Sequence, residues 1–115
     1  MKELFDRGEF VVSAEVGPPK GIHVDELVEE AKTYLKGVHA VNVTDNQSSV
    51  MRLGSLAMCK VLKDAGMDPI FQLACRDRNR IALESDLLSA AMLGIENILC
   101  LTGDHTKMGD HPQAK

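Results

Sequence analysis

Gly66-Met67-Asp68-Pro69-Ile70-Phe71-Gln72-Leu73-Ala74-Cys75 joins the end of one periodic pattern to the start of another. A Gly just past the last periodic residue of a helix accepts the left-handed conformation, and the apolar residue after it packs back on the helix. The nearly unbroken apolar run that follows suits a parallel strand buried on both faces. The same junction occurs at Gly37-Val38 and Gly94-Ile95, and the three glycines are spaced 29 and 28 residues apart. A junction repeated at a fixed period marks a repeated structural unit.

On either side of these junctions the units are alike. Four apolar runs, Phe10 to Val16, Val38 to Thr44, Pro69 to Cys75 and Ile98 to Asp104, read as strands. Three helical stretches lie between them. In the first, Val24, Leu27, Val28, Ala31 and Leu35 fall on one face; Leu53, Leu56, Ala57, Val61 and Ala65 do so in the second, and Leu83, Leu87, Ala90 and Ala91 in the third. Strand, helix, strand at this period predicts right-handed βαβ units and a parallel sheet. An open doubly wound sheet and a (β/α)8 TIM barrel both answer to that description. The first strand–helix turn, Gly17-Pro18-Pro19-Lys20-Gly21, lacks the GxGxxG pattern, and its prolines remove the N–H groups a pyrophosphate cradle needs. The α/β fold expected is therefore a (β/α)8 barrel of which residues 1–115 supply the N-terminal half, four strands and three helices, ending just after strand four. Such a half has two raw sheet edges and an uncovered helix surface, so truncation, or self-association that covers the open side, is expected, with a homo-oligomer the expected state.

Composition narrows the functional classes. The chain has 115 residues, a formal net charge of -4 and 44% apolar residues, enough for one core. With 3% aromatics, that core is aliphatic. No basic stripe suggests nucleic acid. No apolar run approaches the roughly 18 residues of a membrane helix. The N-terminal Met1-Lys2-Glu3-Leu4-Phe5-Asp6 lacks the apolar region of a signal peptide. Cys59, Cys75 and Cys100 are odd in number and widely spaced, which predicts free thiols in a reducing, cytoplasmic setting. The histidines form no metal set; His105, Asp110 and His111 could be grouped, but solvated tail residues explain them equally.

In a barrel of this kind the active site lies at the C-terminal ends of the strands. Glu15 sits in the run Val-Val-Ser-Ala-Glu-Val, where a carboxyl is expected to be partly desolvated and suited to act as a general acid. The alternative is a structural Glu paired with an Arg. Asp104 follows Gly103, where backbone can approach a flat ligand, or it is a turn or capping residue. Thr44 either donates to a ligand or finishes its strand. Gln72, an amide in a buried strand, needs partners and faces either a ligand or a neighbouring strand. Asp77 and Asn79 are expected to cap the third helix. Arg76 and Arg78 either bind an acidic group or pair with Asp77 or Glu84.

Together these segments resemble the methylenetetrahydrofolate reductase family of flavin-dependent barrel enzymes. The resemblance rests on Ser13-Ala14-Glu15-Val16-Gly17-Pro18-Pro19, Val41-Asn42-Val43-Thr44-Asp45, Gln72-Leu73-Ala74-Cys75-Arg76-Asp77-Arg78-Asn79 and Leu93 to Asp104, in order and in register. It implies reduction of 5,10-methylenetetrahydrofolate to 5-methyltetrahydrofolate in one-carbon metabolism and methionine biosynthesis. The cofactor implied is FAD, with FMN the alternative. Electrons would come from NAD(P)H or a partner electron-donating subunit. The folate ring opens on protonation at N5, and Glu15 matches the family's general acid. Asp104 matches the carboxylate that faces the pterin near the flavin. Thr44, Gln72, Leu101, Thr102, Gly103 and Asp104 match flavin-binding positions. Because later strands of the family supply further flavin and folate contacts, the chain alone is expected to be inactive. The competing readings are another (β/α)8 enzyme on a pterin or phosphorylated substrate, and a non-catalytic half-barrel assembly module.

Overall fold

The computed structural model describes residues 1–114. Its elements run α1 (Lys2–Asp6), β1 (Ser13–Val16), α2 (Asp25–Tyr34), β2 (Ala40–Val43), α3 (Ser55–Asp64), β3 (Pro69–Ala74), α4 (Arg80–Met92) and β4 (Asn97–Leu101). Short 3-10 turns follow β2 at Gln47–Ser49 and β4 at Thr106–Met108. The four strands form one parallel sheet in the order β1-β2-β3-β4. This is the α/β class that the repeated junction predicts.

The glycine junctions take the expected form. Gly37, Gly66 and Gly94 have φ of 91°, 89° and 75°. After α3 the Met67 N–H reaches back to the Leu62 carbonyl at 3.0 Å, and after α4 the Ile95 N–H reaches Ala90 at 2.9 Å. These bonds satisfy orphan carbonyls at the helix ends. Ile95 is buried against the core, as the residue after such a glycine should be.

Strand alternation divides the sheet into two faces. Val16, Val41, Val43, Phe71 and Leu73 point toward the helices and join Val28, Met58, Leu62 and Ala90 in one aliphatic core. The central strand β3 is buried along its whole length. The opposite face carries Ser13 and Glu15 on β1, Asn42 on β2, Gln72 on β3, and Leu99 and Leu101 on β4. A row of amides crosses it: Asn42 Nδ2 donates to Ser13 Oγ at 3.2 Å, and Gln72 Nε2 donates to Asn42 Oδ1 at 3.5 Å.

Three details differ from the sequence reading. The first strand begins at Ser13, not Phe10, and Phe10 is 87% exposed. Ahead of Ser13 the His39 imidazole stands in for a paired strand, with its Nδ1 accepting the Val12 N–H at 3.0 Å. The fourth strand ends at Leu101, so Thr102, Gly103 and Asp104 belong to the loop beyond it. Finally, a fourth helix, α1, precedes the sheet; it is one short turn, with a Lys2–Asp6 pair at i,i+4.

The core sets two expectations. Leu62 is fully buried between α3 and the sheet. Leu62→Ala should lower unfolding stability by about 2–5 kcal/mol in a urea titration, through lost transfer energy and a residual cavity. Burial also pushes the Cys59 thiol up to about 12, whereas Cys75 and Cys100 are exposed. In the native chain at pH 8 an aromatic disulfide reagent should titrate the two exposed thiols promptly and Cys59 only after denaturant is added.

Candidate functional site

At the C-terminal ends of the four strands lies a cleft of about 460 Å³, within the range of small-molecule sites. Every residue singled out from the sequence as catalytic or cofactor-binding lines it. Glu15 comes from β1, Thr44 follows β2, Gln72 stands on β3, and Leu101, Thr102, Gly103 and Asp104 close the fourth side. A second hollow of about 380 Å³ opens at the other end of the sheet. Among the polar side chains that line it, Lys32 is bonded to Glu29, His39 to Val12 and Asp68 to Asn97, while Lys36 also lines the hollow.

The cleft's groups differ in how they are held. Thr44 is buried at 4% exposure, and its Oγ1 has no hydrogen-bond partner among the described residues. A buried hydroxyl left unpaired costs free energy, so this atom is a ready partner for a ligand. Gln72 is 9% exposed and donates toward Asn42, a neighbouring strand as well as the cleft. Glu15 is exposed, which corrects the expectation of a desolvated carboxyl. Its apolar neighbours Ala14 and Val16 lie on the other side of the strand, and alternation turns Glu15 onto the uncovered face.

Asp104 is tied to the loop after β2. Its Oδ2 accepts the Ser48 N–H at 3.0 Å. That loop holds Asn46, Ser48 and Ser49 at φ of 45°, 58° and 58°, a left-handed conformation uncommon for residues with a side chain. Asn46 Oδ1 secures it by accepting the Arg52 N–H at 2.8 Å. Gly103 has φ 84°, and a Cβ added there would lie 3.0 Å from Arg76 Nη1, so the backbone packs against the guanidinium.

The sequence reading left two arginines open between ligand binding and ion pairing. Arg76 lines the cleft and forms a two-pronged pair with Asp77, Nε to Oδ1 at 2.9 Å and Nη2 to Oδ2 at 2.7 Å. The hydrogen bond with Arg76 holds the Asp77 carboxyl below its usual range and raises the Arg76 guanidinium. Arg78 turns to Asp45 and to Asp86 of α4, not to Glu84. Burial works against its charge, but the bonds to Asp45 and Asp86 outweigh it and the pKa is raised. Asn79 caps α4 by accepting the Ala82 N–H at 3.0 Å, whereas Asp77 is committed to Arg76.

Asp45, Gln47, Ala74 and Arg76 also line the cleft and were not among the expected site residues. Asp45 and Arg76 stood in quoted motifs, but only the fold tells that Arg76 faces the cleft while Arg78 faces α4.

Chemically the cleft offers one exposed carboxylate, a second carboxylate held by a backbone N–H, a buried hydroxyl and an amide around a partly apolar floor. The unpaired Thr44 hydroxyl fits a flat, hydrogen-bonding ring such as a flavin. No helix among the described residues is long and apolar enough to cross a membrane. No curated protein matches the chain. The family described as methylenetetrahydrofolate reductase matches residues 1–115, the whole of it. Because that match spans the whole chain, the chain belongs to the methylenetetrahydrofolate reductase family, a family of folate-related oxidoreductases.

Proposed function

We propose that this protein takes part in the flavin-dependent reduction of 5,10-methylenetetrahydrofolate to 5-methyltetrahydrofolate, with its four strands forming half of a (β/α)8 barrel. The observation that carries the reading is the convergence of Glu15, Thr44, Gln72 and the Leu101–Asp104 loop on one strand-end cleft with an unpartnered buried hydroxyl. The barrel is supported by the sequential parallel order and by the uncovered face of the sheet. The exposed Ile81, Leu88 and Met92 of α4 and Tyr34 of α2 support further packing on both flanks, by more barrel elements or by another copy.

A flavin held here, FAD or FMN, would supply hydride chemistry, with electrons drawn from NAD(P)H or a partner electron-donating subunit. This chain's residues do the rest. Thr44 Oγ1 would donate to the flavin ring, and Leu101, Thr102 and Gly103 would line its side of the cleft. Gln72, steadied through Asn42, offers its amide to the same ligand. Glu15 holds the proton that moves to the folate ring nitrogen when the five-membered ring opens; its exposure leaves it free to meet substrate. Asp104, fixed by the Ser48 N–H, presents a carboxylate to the pterin. With one wall of the site formed by these strands, the 115-residue chain by itself is expected to turn over no substrate.

Two measurements test this. The absorption spectrum of the purified chain and of the complete protein, after loading with FAD or FMN and desalting, should show a retained flavin band at least in the complete protein. A complete protein that holds no flavin would end the reading. In the flavin-loaded enzyme, Glu15→Gln should lower kcat for folate reduction by about 10²–10⁴-fold while leaving reduction by the electron donor intact, because only the folate step needs the proton.

A further inference from the structure

We propose that Arg76 is a positioning residue that holds Asp104 in the cleft by clasping together the loops after β2, β3 and β4. The proposal rests on the role given above to Asp104.

Arg76 stands two residues beyond β3, and its side chain is 7% exposed. The fork with Asp77 fixes the plane of the guanidinium. From that plane Nη2 donates to the Asn46 carbonyl at 3.1 Å, in the loop after β2. Nη1 donates to the Asp104 carbonyl at 3.2 Å, in the loop after β4. Four of the five N–H bonds of an arginine are thereby committed to the protein. A guanidinium so engaged has little left to give a ligand, which separates it from the groups that would touch substrate.

Asp104 thus has two tethers. Its carbonyl is held by Arg76 and its carboxylate by the Ser48 N–H. The second tether hangs from a loop in a left-handed conformation at Ser48, and Arg76 also holds that loop, through Asn46. Removing the guanidinium releases Asp104 from one side and loosens the support of its other partner. A lysine cannot replace it, because a single ammonium lacks the planar fork that reaches Asp77 and both carbonyls at once. The packing of Gly103 belongs to the same device, since a side chain there would meet Arg76 Nη1 at 3.0 Å and Cβ at 3.2 Å.

The test is a double-mutant cycle in the flavin-loaded holoenzyme, with amide exchange as a second readout. Arg76→Ala should lower kcat for folate reduction by about 100-fold, the order expected when a reacting group is misplaced by about 1 Å. In an Asp104→Asn background the same change should cost less than about threefold, because the two residues act as a unit. Arg76→Lys should recover only part of the loss. Without substrate, hydrogen exchange at the Ser48 amide should speed up by about tenfold or more in Arg76→Ala, as its acceptor loses its place. Equal loss in both backgrounds, full rescue by lysine, or unchanged Ser48 exchange would each overturn the proposal. Should Arg76→Ala fail to fold, Arg76→Lys carries the same cycle and the same exchange measurement. If the wild-type holoenzyme reduces no folate, the functional reading falls, and Ser48 exchange alone decides whether the clasp exists.

Discussion

A carboxylate with no exposed surface must find its partners inside the protein, and those of Asp45 are spread over neighbouring elements. Its side chain is 0% exposed. It accepts the Ala74 N–H at 2.8 Å from the last residue of β3 and pairs with Arg78, which in turn bonds the Ala74 carbonyl at 2.9 Å and Asp86 of α4 at 2.7 Å. Desolvating such a pair costs several kcal/mol per ion and is repaid only where every partner is in position. The end of β2, the end of β3 and the middle of α4 are therefore fixed as a unit. Thr44 precedes Asp45, and Arg76 follows β3 by two residues, so the geometry of the cleft is inherited from this buried pair.

Much of this arrangement is written in local sequence. The three glycine junctions give the helix ends, the apolar runs give the strands, and right-handed crossovers give the parallel order. The strand-end rule then picks out Glu15, Thr44, Gln72 and Asp104, which do meet in one cleft. Residues whose partners are distant in sequence are not legible in this way. Phe10 to Val12 look like strand by composition, yet a strand needs a continuing ladder, and here the ladder ends at Val12, whose carbonyl accepts the His39 N–H while its own N–H goes to the His39 imidazole. Glu15 sits among apolar residues in the chain but not in space, because alternation sends it to the other face. Arg76 and Arg78 are equivalent as letters; both lie in the turn beyond β3, and only their partners in the fold send one toward the cleft and the other toward α4.

The two faces of the sheet also divide the labour of the fold. The helix-facing side is aliphatic and carries the stability, with Val41, Val43, Phe71 and Leu73 packed on Met58 and Leu62. The other side carries Ser13 and Glu15 on β1, Asn42 on β2 and Gln72 between Ile70 and Ala74 on β3, with Leu99 and Leu101 on β4. A row of Ser13, Asn42 and Gln72 would be costly inside a core unless its members bonded one another, and they do. This row ends beneath the cleft, so the amide nearest the ligand is held by its neighbours before any ligand arrives.

Charge accounting at the strand ends bears on what the cleft can receive. A cationic pair such as Arg76 and Arg78 would ordinarily suggest a phosphate site, but each guanidinium is already committed to protein carboxylates, Asp77 for one and Asp45 with Asp86 for the other. An anion at the cleft would have to compete with these pairs and would also face Glu15 and Asp104. A flat ring carrying its own donors and acceptors meets no such competition. It can satisfy the buried Thr44 hydroxyl without disturbing either arginine. The ion pairs that build the cleft therefore leave neither guanidinium free for a phosphate there, and the unpaired group that remains is a neutral hydroxyl.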